Sequence, residues 1–97
     1  MAHEIVFSPG AIEDMRRLRA DDRSNILAAI ESHLRHEPNK LSKTRIKRLR
    51  GLRQPEYRLR VDDFRVYYDL VDSTVHIHSV IAKHLTYDWL RIHEKPL

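Results

Sequence analysis

Tyr57-Arg58-Leu59-Arg60-Val61-Asp62-Asp63-Phe64-Arg65-Val66-Tyr67-Tyr68-Asp69-Leu70-Val71 decides how this chain folds. Apolar and charged residues alternate through Tyr57 to Val61, so Leu59 and Val61 share one face and Arg58 and Arg60 the other, the period-2 pattern of a half-buried strand. A second run, Phe64 to Val71, follows after Asp62-Asp63. Aspartate tolerates left-handed backbone angles, so these two residues can close a tight hairpin. Val66, Tyr68 and Leu70 then extend the buried face, and Arg65, Tyr67 and Asp69 lie beside Arg58 and Arg60. Three guanidinium groups are expected on one open sheet face.

Working outward, Asp72-Ser73 turns the chain into Thr74 to Lys83, where Val75, Ile77 and Ile81 alternate with His76, His78 and Val80, predicting a third antiparallel strand. His76 and His78 project to one side, but a zinc site needs a further ligand that nothing nearby supplies, so no metal or other cofactor is expected. Leu85, Trp89 and Ile92 recur at helical spacing before Pro96, predicting a short C-terminal helix packed by Trp89. Upstream, Ile5, Val6 and Phe7 form a first strand ending at Ser8-Pro9, which can cap and open a helix running to Ala20 on Ala11, Ile12, Met15 and Leu18. Asp21-Asp22 can cap a second helix, with Ile26, Leu27, Ile30 and Leu34 as its stripe and Pro38 beyond its end. The order strand, helix, helix and three short-connected strands predicts an α+β fold, with two N-terminal helices on one face of a four-stranded, mainly antiparallel sheet.

At 97 residues the chain is read as one domain, residues 1–97, which buries roughly 60 to 70% of its unfolded surface and is marginally stable alone. Eighteen Lys and Arg against 14 Asp and Glu give a net charge of +4. Seven of those cations, Lys40, Lys43, Arg45, Lys47, Arg48, Arg50 and Arg53, fall between Asn39 and Gln54 without one acidic residue. Such a run can be a solvated connector, but directly before an arginine-faced hairpin it suits a polyanion, because Lys and Arg displace counterions condensed on phosphates. Nucleic acid is the expected partner. Cysteine is absent, which removes disulfides and thiolate metal sites. Only Gly10 and Gly51 are present, too few for a dinucleotide or P-loop site. Neither a signal sequence nor a membrane-length apolar run is seen, so a cytoplasmic protein without membrane contact is expected.

The open face brings together Arg58, Arg60 and Arg65, with Lys83 and His84 at the end of the last strand and Tyr87 just beyond. Cleavage of RNA by its own 2′-hydroxyl needs a base for that hydroxyl, cations for the charge growing on phosphorus, and an acid for the departing 5′-oxygen. Arginine, protonated to above about pH 12, can serve only the second role. Histidine is the residue type that exchanges a proton near neutrality, which makes His84 the best intrinsic proton carrier of the set. The bland readings are ion pairs of Arg58 and Arg60 with Asp62, Asp63 or Asp69, and a packed Tyr87.

Leu49-Arg50-Gly51-Leu52, the Tyr-Arg-Leu-Arg-Val run, the short turn and the Phe-Arg-Val-Tyr-Tyr run resemble the central hairpin of the RelE/ParE toxin superfamily. Val75 to Lys83 resembles that family's last strand, and Tyr87 falls near the tyrosine opening its C-terminal segment. The resemblance implies the toxin of a type II toxin–antitoxin pair, an endoribonuclease cutting messenger RNA on the ribosome. It also implies a cognate antitoxin as partner and contact with operator DNA only through the antitoxin complex. By the same resemblance Arg58 and Arg60 stand where such enzymes often carry lysines, Arg65 matches the phosphate-holding arginine, and Tyr87 resembles the catalytic tyrosine. Lys83-His84 departs from the usual His-Arg or Lys-Arg pair. A gyrase-binding toxin of the ParE kind, or an inactive member that only binds antitoxin, would share the scaffold.

Overall fold

The computed structural model describes residues 2–97. In chain order the elements are β1 (Glu4–Phe7), α1 (Pro9–Arg16), α2 (Ala20–Leu34), β2 (Ile46–Arg48), β3 (Leu52–Gln54), β4 (Tyr57–Val61), β5 (Phe64–Val71) and β6 (Thr74–Ala82), then a 3-10 turn (Lys83–Leu85), α3 (Thr86–His93) and β7 (Lys95–Pro96). Five strands form one sheet in the order β1-β6-β5-β4-β2, and β3 and β7 make a separate two-stranded ribbon. Only the β1–β6 pair in the main sheet is parallel. The α+β class is as expected, but the sheet is larger than four strands, because the basic connector contributes β2 beside β4. No helix among the described residues is long and apolar enough to cross a membrane.

The hairpin lies at the centre of this sheet. Leu59 pairs with Val66 and Val61 with Phe64, and Asp62 takes the left-handed φ of 51° that the turn requires. Leu59, Val66, Tyr68, Val75 and Ile77 meet Ala11, Met15, Ile26, Ile30 and Leu34 of the two helices in one core. Burying that shared face is what holds α1 and α2 to the sheet, since the hydrophobic term scales with apolar area removed from water. The hydroxyl of Tyr68 donates to Pro38 O at 2.6 Å, so the one polar atom of a fully buried ring is satisfied.

Three local expectations change. The first helix stops at Arg16 rather than Ala20, because Arg23 reaches back to donate to Met15 O and Leu18 O and fixes a turn there. Leu27 is 42% exposed and leaves the α2 stripe to Ile26, Ile30 and Leu34. In β6 a bulge intervenes: Tyr67 faces Ser79 while Tyr68 faces Ile77, so His78 is the extra residue. Beyond it Val80, not Ile81, faces the core. The bulged edge is capped from α1, where Asp14 accepts from Ser79 Oγ at 2.6 Å and Val80 N at 3.0 Å, and Ser8 Oγ donates to His78 O at 3.0 Å. The same Ser8 oxygen accepts from Ala11 N, so one side chain starts α1 and ties it to the sheet.

Candidate nucleic-acid interface

On the sheet face away from α1 and α2, register sets the basic residues side by side. Arg60 lies opposite Arg65, Arg58 opposite Tyr67, and Lys47 of β2 opposite Arg58. None of Lys47, Arg58, Arg60 and Arg65 forms an ion pair among the described residues, so the bland reading of Arg58 and Arg60 as partners of Asp62, Asp63 or Asp69 does not describe them. Arg58 Nε is buried without a hydrogen-bond partner. Like charges held this close repel, and an incoming anion would relieve them.

Arg65 differs from the expectation of an outward, exposed group. It is only 6% exposed, and its Nη1 donates to Asp62 O at 2.9 Å and Phe64 O at 2.8 Å, because the guanidinium folds back over the hairpin turn. Burial and then the Arg58 and Arg60 charges hold its pKa below the usual guanidinium range, against an opposing pull from Tyr67 and Asp63. It remains a cation. Arg65 thus braces the turn with one nitrogen while facing two other arginines.

Lys83 and His84 lie in the exposed 3-10 turn, and Lys83 N donates to Asp63 O at 2.7 Å, which anchors that turn to the hairpin tip braced by Arg65. Tyr87 goes elsewhere. Thr86, Trp89 and Leu90 are the more buried positions of α3, whereas Tyr87 is 71% exposed on the far side with the Arg91 guanidinium 5.8 Å from its ring centroid. The structure therefore brings Arg58, Arg60 and Arg65 together, sets Lys83 and His84 beside the hairpin tip, and leaves Tyr87 pointing to solvent.

Sequence reasoning missed Tyr67. Its ring stacks on Trp89 with centroids 5.0 Å apart, and Trp89 stacks in turn on His93 at 4.8 Å. Burial pushes the Tyr67 phenol up, while the Thr86 hydroxyl and the Arg58 and Arg65 charges pull it back down. The available signal was an aromatic residue within an otherwise polar alternation. Asp69, which only the bland reading paired with the arginines, has other partners: it accepts from Gln54 Nε2 at 2.9 Å and Glu56 N at 2.8 Å, and pairs with His78 Nε2 at 2.7 Å. Burial works to raise its pKa, but His78, Gln54 and the Glu56 N–H together outweigh burial and hold it below the ordinary carboxylate range. His78 is thereby a structural partner of Asp69.

The basic connector divides. Arg48 is not free for a polyanion, because its Nη1 donates to Glu56 O at 2.8 Å and its guanidinium lies 5.4 Å from the Tyr57 ring centroid. Lys40 faces Glu37 at 3.7 Å in a solvent-screened pair. Lys43, Arg45, Lys47, Arg50 and Arg53 are exposed.

Comparison with known proteins places these features. A family model described as ParE toxin of type II toxin-antitoxin system, parDE, matches residues 5–84. Among solved structures, a chain of the archaeal RelE–RelB complex from Pyrococcus horikoshii is 21% identical with a TM-score of 0.69, over 86% of this chain and 97% of that one. A chain of the RelB–RelE antitoxin–toxin complex from Methanococcus jannaschii is 22% identical with a TM-score of 0.67, over 87% and 96%. A chain of the RelBE2 toxin–antitoxin complex from Mycobacterium tuberculosis is 21% identical with a TM-score of 0.66, over 84% and 99%. At such identities the likeness is one of fold. No curated protein matches the chain.

Proposed function

This chain belongs to the ParE toxin family of type II toxin–antitoxin systems, and we propose that it acts as a ribosome-dependent endonuclease that cuts messenger RNA through the RNA's own 2′-hydroxyl. The observation that carries this reading is the cross-strand gathering of Arg58, Arg60 and Arg65, none of which forms an ion pair among the described residues. In the proposed reaction the 2′-oxygen loses its proton and attacks the adjacent phosphorus, a 2′,3′-cyclic phosphate forms, and the 5′-oxygen leaves with a proton. Arg58, Arg60 and Arg65 hold the non-bridging oxygens as charge grows on them, and Lys83 adds a point charge from the turn. His84 is the proton carrier, since Tyr87 stands exposed beside Arg91.

The partners of this reading are the ribosome and its message, a cognate antitoxin, and operator DNA only through the antitoxin complex. The exposed cations of the connector, Lys43, Arg45, Lys47, Arg50 and Arg53, supply non-specific phosphate contacts. In vitro translation followed by primer extension tests it: added toxin should give discrete cleavage ends in ribosome-bound message. A second reading, a gyrase-binding toxin without chemistry of its own, is favoured by the outward Tyr87 and by the ParE family model. Intact message together with gyrase-linked DNA breaks would select it.

A further inference from the structure

We propose that the hollow between α2 and the basic connector is a second phosphate site, in which Arg45, Lys40 and His33 hold a phosphodiester of the same strand that crosses the arginine face. The inference deepens the nucleic-acid reading above and rests on it. The hollow is a cavity of about 230 Å³ at the β2 edge of the sheet, open to solvent, with Ser32 and Ser42 also in its wall. That volume accommodates a phosphate group with water around it.

Arg45 connects the two places. It lines this hollow and also a neighbouring one that it shares with Arg60, Thr44 and Asp62, so the residue adjoins both places. Its backbone is pinned on both sides: Arg45 O accepts from Arg60 N at 2.8 Å, and Arg45 N donates to Ser42 Oγ at 2.9 Å. Ser42 Oγ accepts from Ile46 N as well, at 3.1 Å, so the rim is fixed before any ligand arrives.

The charge balance asks for an anion. Burial and then the Arg45 charge hold the His33 imidazole below its ordinary range. The one carboxylate in the wall is Glu37, and it faces Lys40 at 3.7 Å with both side chains mostly exposed, a pair that water and salt screen and a phosphate can replace. A phosphodiester there meets Arg45 as a fork, Lys40 as a point charge and His33 as a proton-dependent donor. RNA supplies phosphates at regular intervals, which a track running from Arg60 through Arg45 to His33 can follow around the sheet edge.

The experiment uses the full chain and two readouts. Imidazole NMR of His33 is recorded against pH with inorganic phosphate, then with a short oligouridylate, then with polyglutamate. Both phosphate probes should move the His33 titration upward, and Arg45→Ala should abolish that movement. In parallel, oligouridylate affinity measured against salt should fall about five- to tenfold in Arg45→Ala, with a slope of log K on log salt smaller by about 0.7, the single-strand value for one phosphate contact. Lys40→Ala, whose side chain is fully peripheral to the core, should act in the same direction, which protects the conclusion if Arg45→Ala loosens the rim. An unmoved His33, unchanged affinity and slope in both variants, or a response to polyglutamate alone would overturn the proposal. If those results coincide with a large loss in Arg60→Ala, the arginine face stands and only the second site fails. Should Arg60→Ala also bind like the parent, the nucleic-acid reading falls with it.

Discussion

Arg65 is asked to do two things that conflict. Its Nη1 satisfies two carbonyls of the hairpin turn, while its charge sits beside Arg58 and Arg60 and is desolvated for little return in the free protein. Arg65→Ala should therefore lower global stability by about 2 kcal/mol, the scale for losing hydrogen bonds from a charged donor, as read by urea denaturation. Arg60 is exposed and opposite it, so Arg60→Ala should reduce message cleavage by about 10² to 10³ while stability changes by under about 0.5 kcal/mol. Equal destabilisation by the two changes would show that the face is held together by something other than the turn brace. Asp69 gives the residue scale a pH signature. Its folded pKa lies below its unfolded one, so its stabilisation is fully present above the unfolded value near about 4 and is lost as pH falls through the folded value. The stability gap between the parent and Asp69→Asn should be widest above about pH 5 and close toward about pH 2; a gap independent of pH in acid unfolding would reject the assignment.

At the scale of elements, α3 is the least secured piece near the site. It has no fully buried residue, and its hold on the sheet runs through the Trp89–Tyr67 stack and the 3-10 turn that ties Lys83 to the hairpin tip. Trp89→Ala should release α3 without unfolding the sheet: amide exchange should quicken across Thr86 to His93 while β4 to β6 stay protected. Simultaneous loss of protection in β5 would mean that helix and sheet open as one unit. The elements that the sequence made legible are those whose pattern is local. The hairpin and the Ser8-Pro9 helix start follow from alternation and capping alone. The β6 bulge and the short β2 and β3 depend on other elements, Asp14 for the bulge and β4 and β7 for the strands, and the stop of α1 at Arg16 depends on a side chain, Arg23, that reaches back from the next helix. The same division explains the site. Register on one hairpin placed Arg58, Arg60 and Arg65 together, but helix phase decides where Tyr87 points, and Trp89, the stronger apolar anchor, takes the sheet-facing position.

At the scale of the whole molecule, charge is distributed so that one face of a marginally sized domain is loaded with cations that form no ion pair among the described residues. The neutral-histidine net charge is only +4, yet Lys47, Arg58, Arg60 and Arg65 adjoin one another across three strands. Self-repulsion of this kind weakens the free fold, and any acidic partner bound to the native state alone must strengthen it by mass action. A cognate antitoxin that lays carboxylates on this face should therefore raise the melting temperature progressively with its concentration. At a thousandfold excess over Kd the gain is about 4 kcal/mol. Its association rate should fall steeply with added salt, because opposite potentials steer the encounter. Arg58→Ala and Arg60→Ala should each flatten that salt dependence, whereas Arg16→Ala, on the exposed side of α1 and paired with Glu13 at 3.0 Å, should leave it unchanged. Stopped-flow association across a salt series decides the matter. A rate indifferent to salt, or one altered as much by Arg16→Ala as by Arg60→Ala, would mean that neutralisation works through apolar surface such as the exposed Ile12 and Leu27, and that the arginine face is left open in the complex.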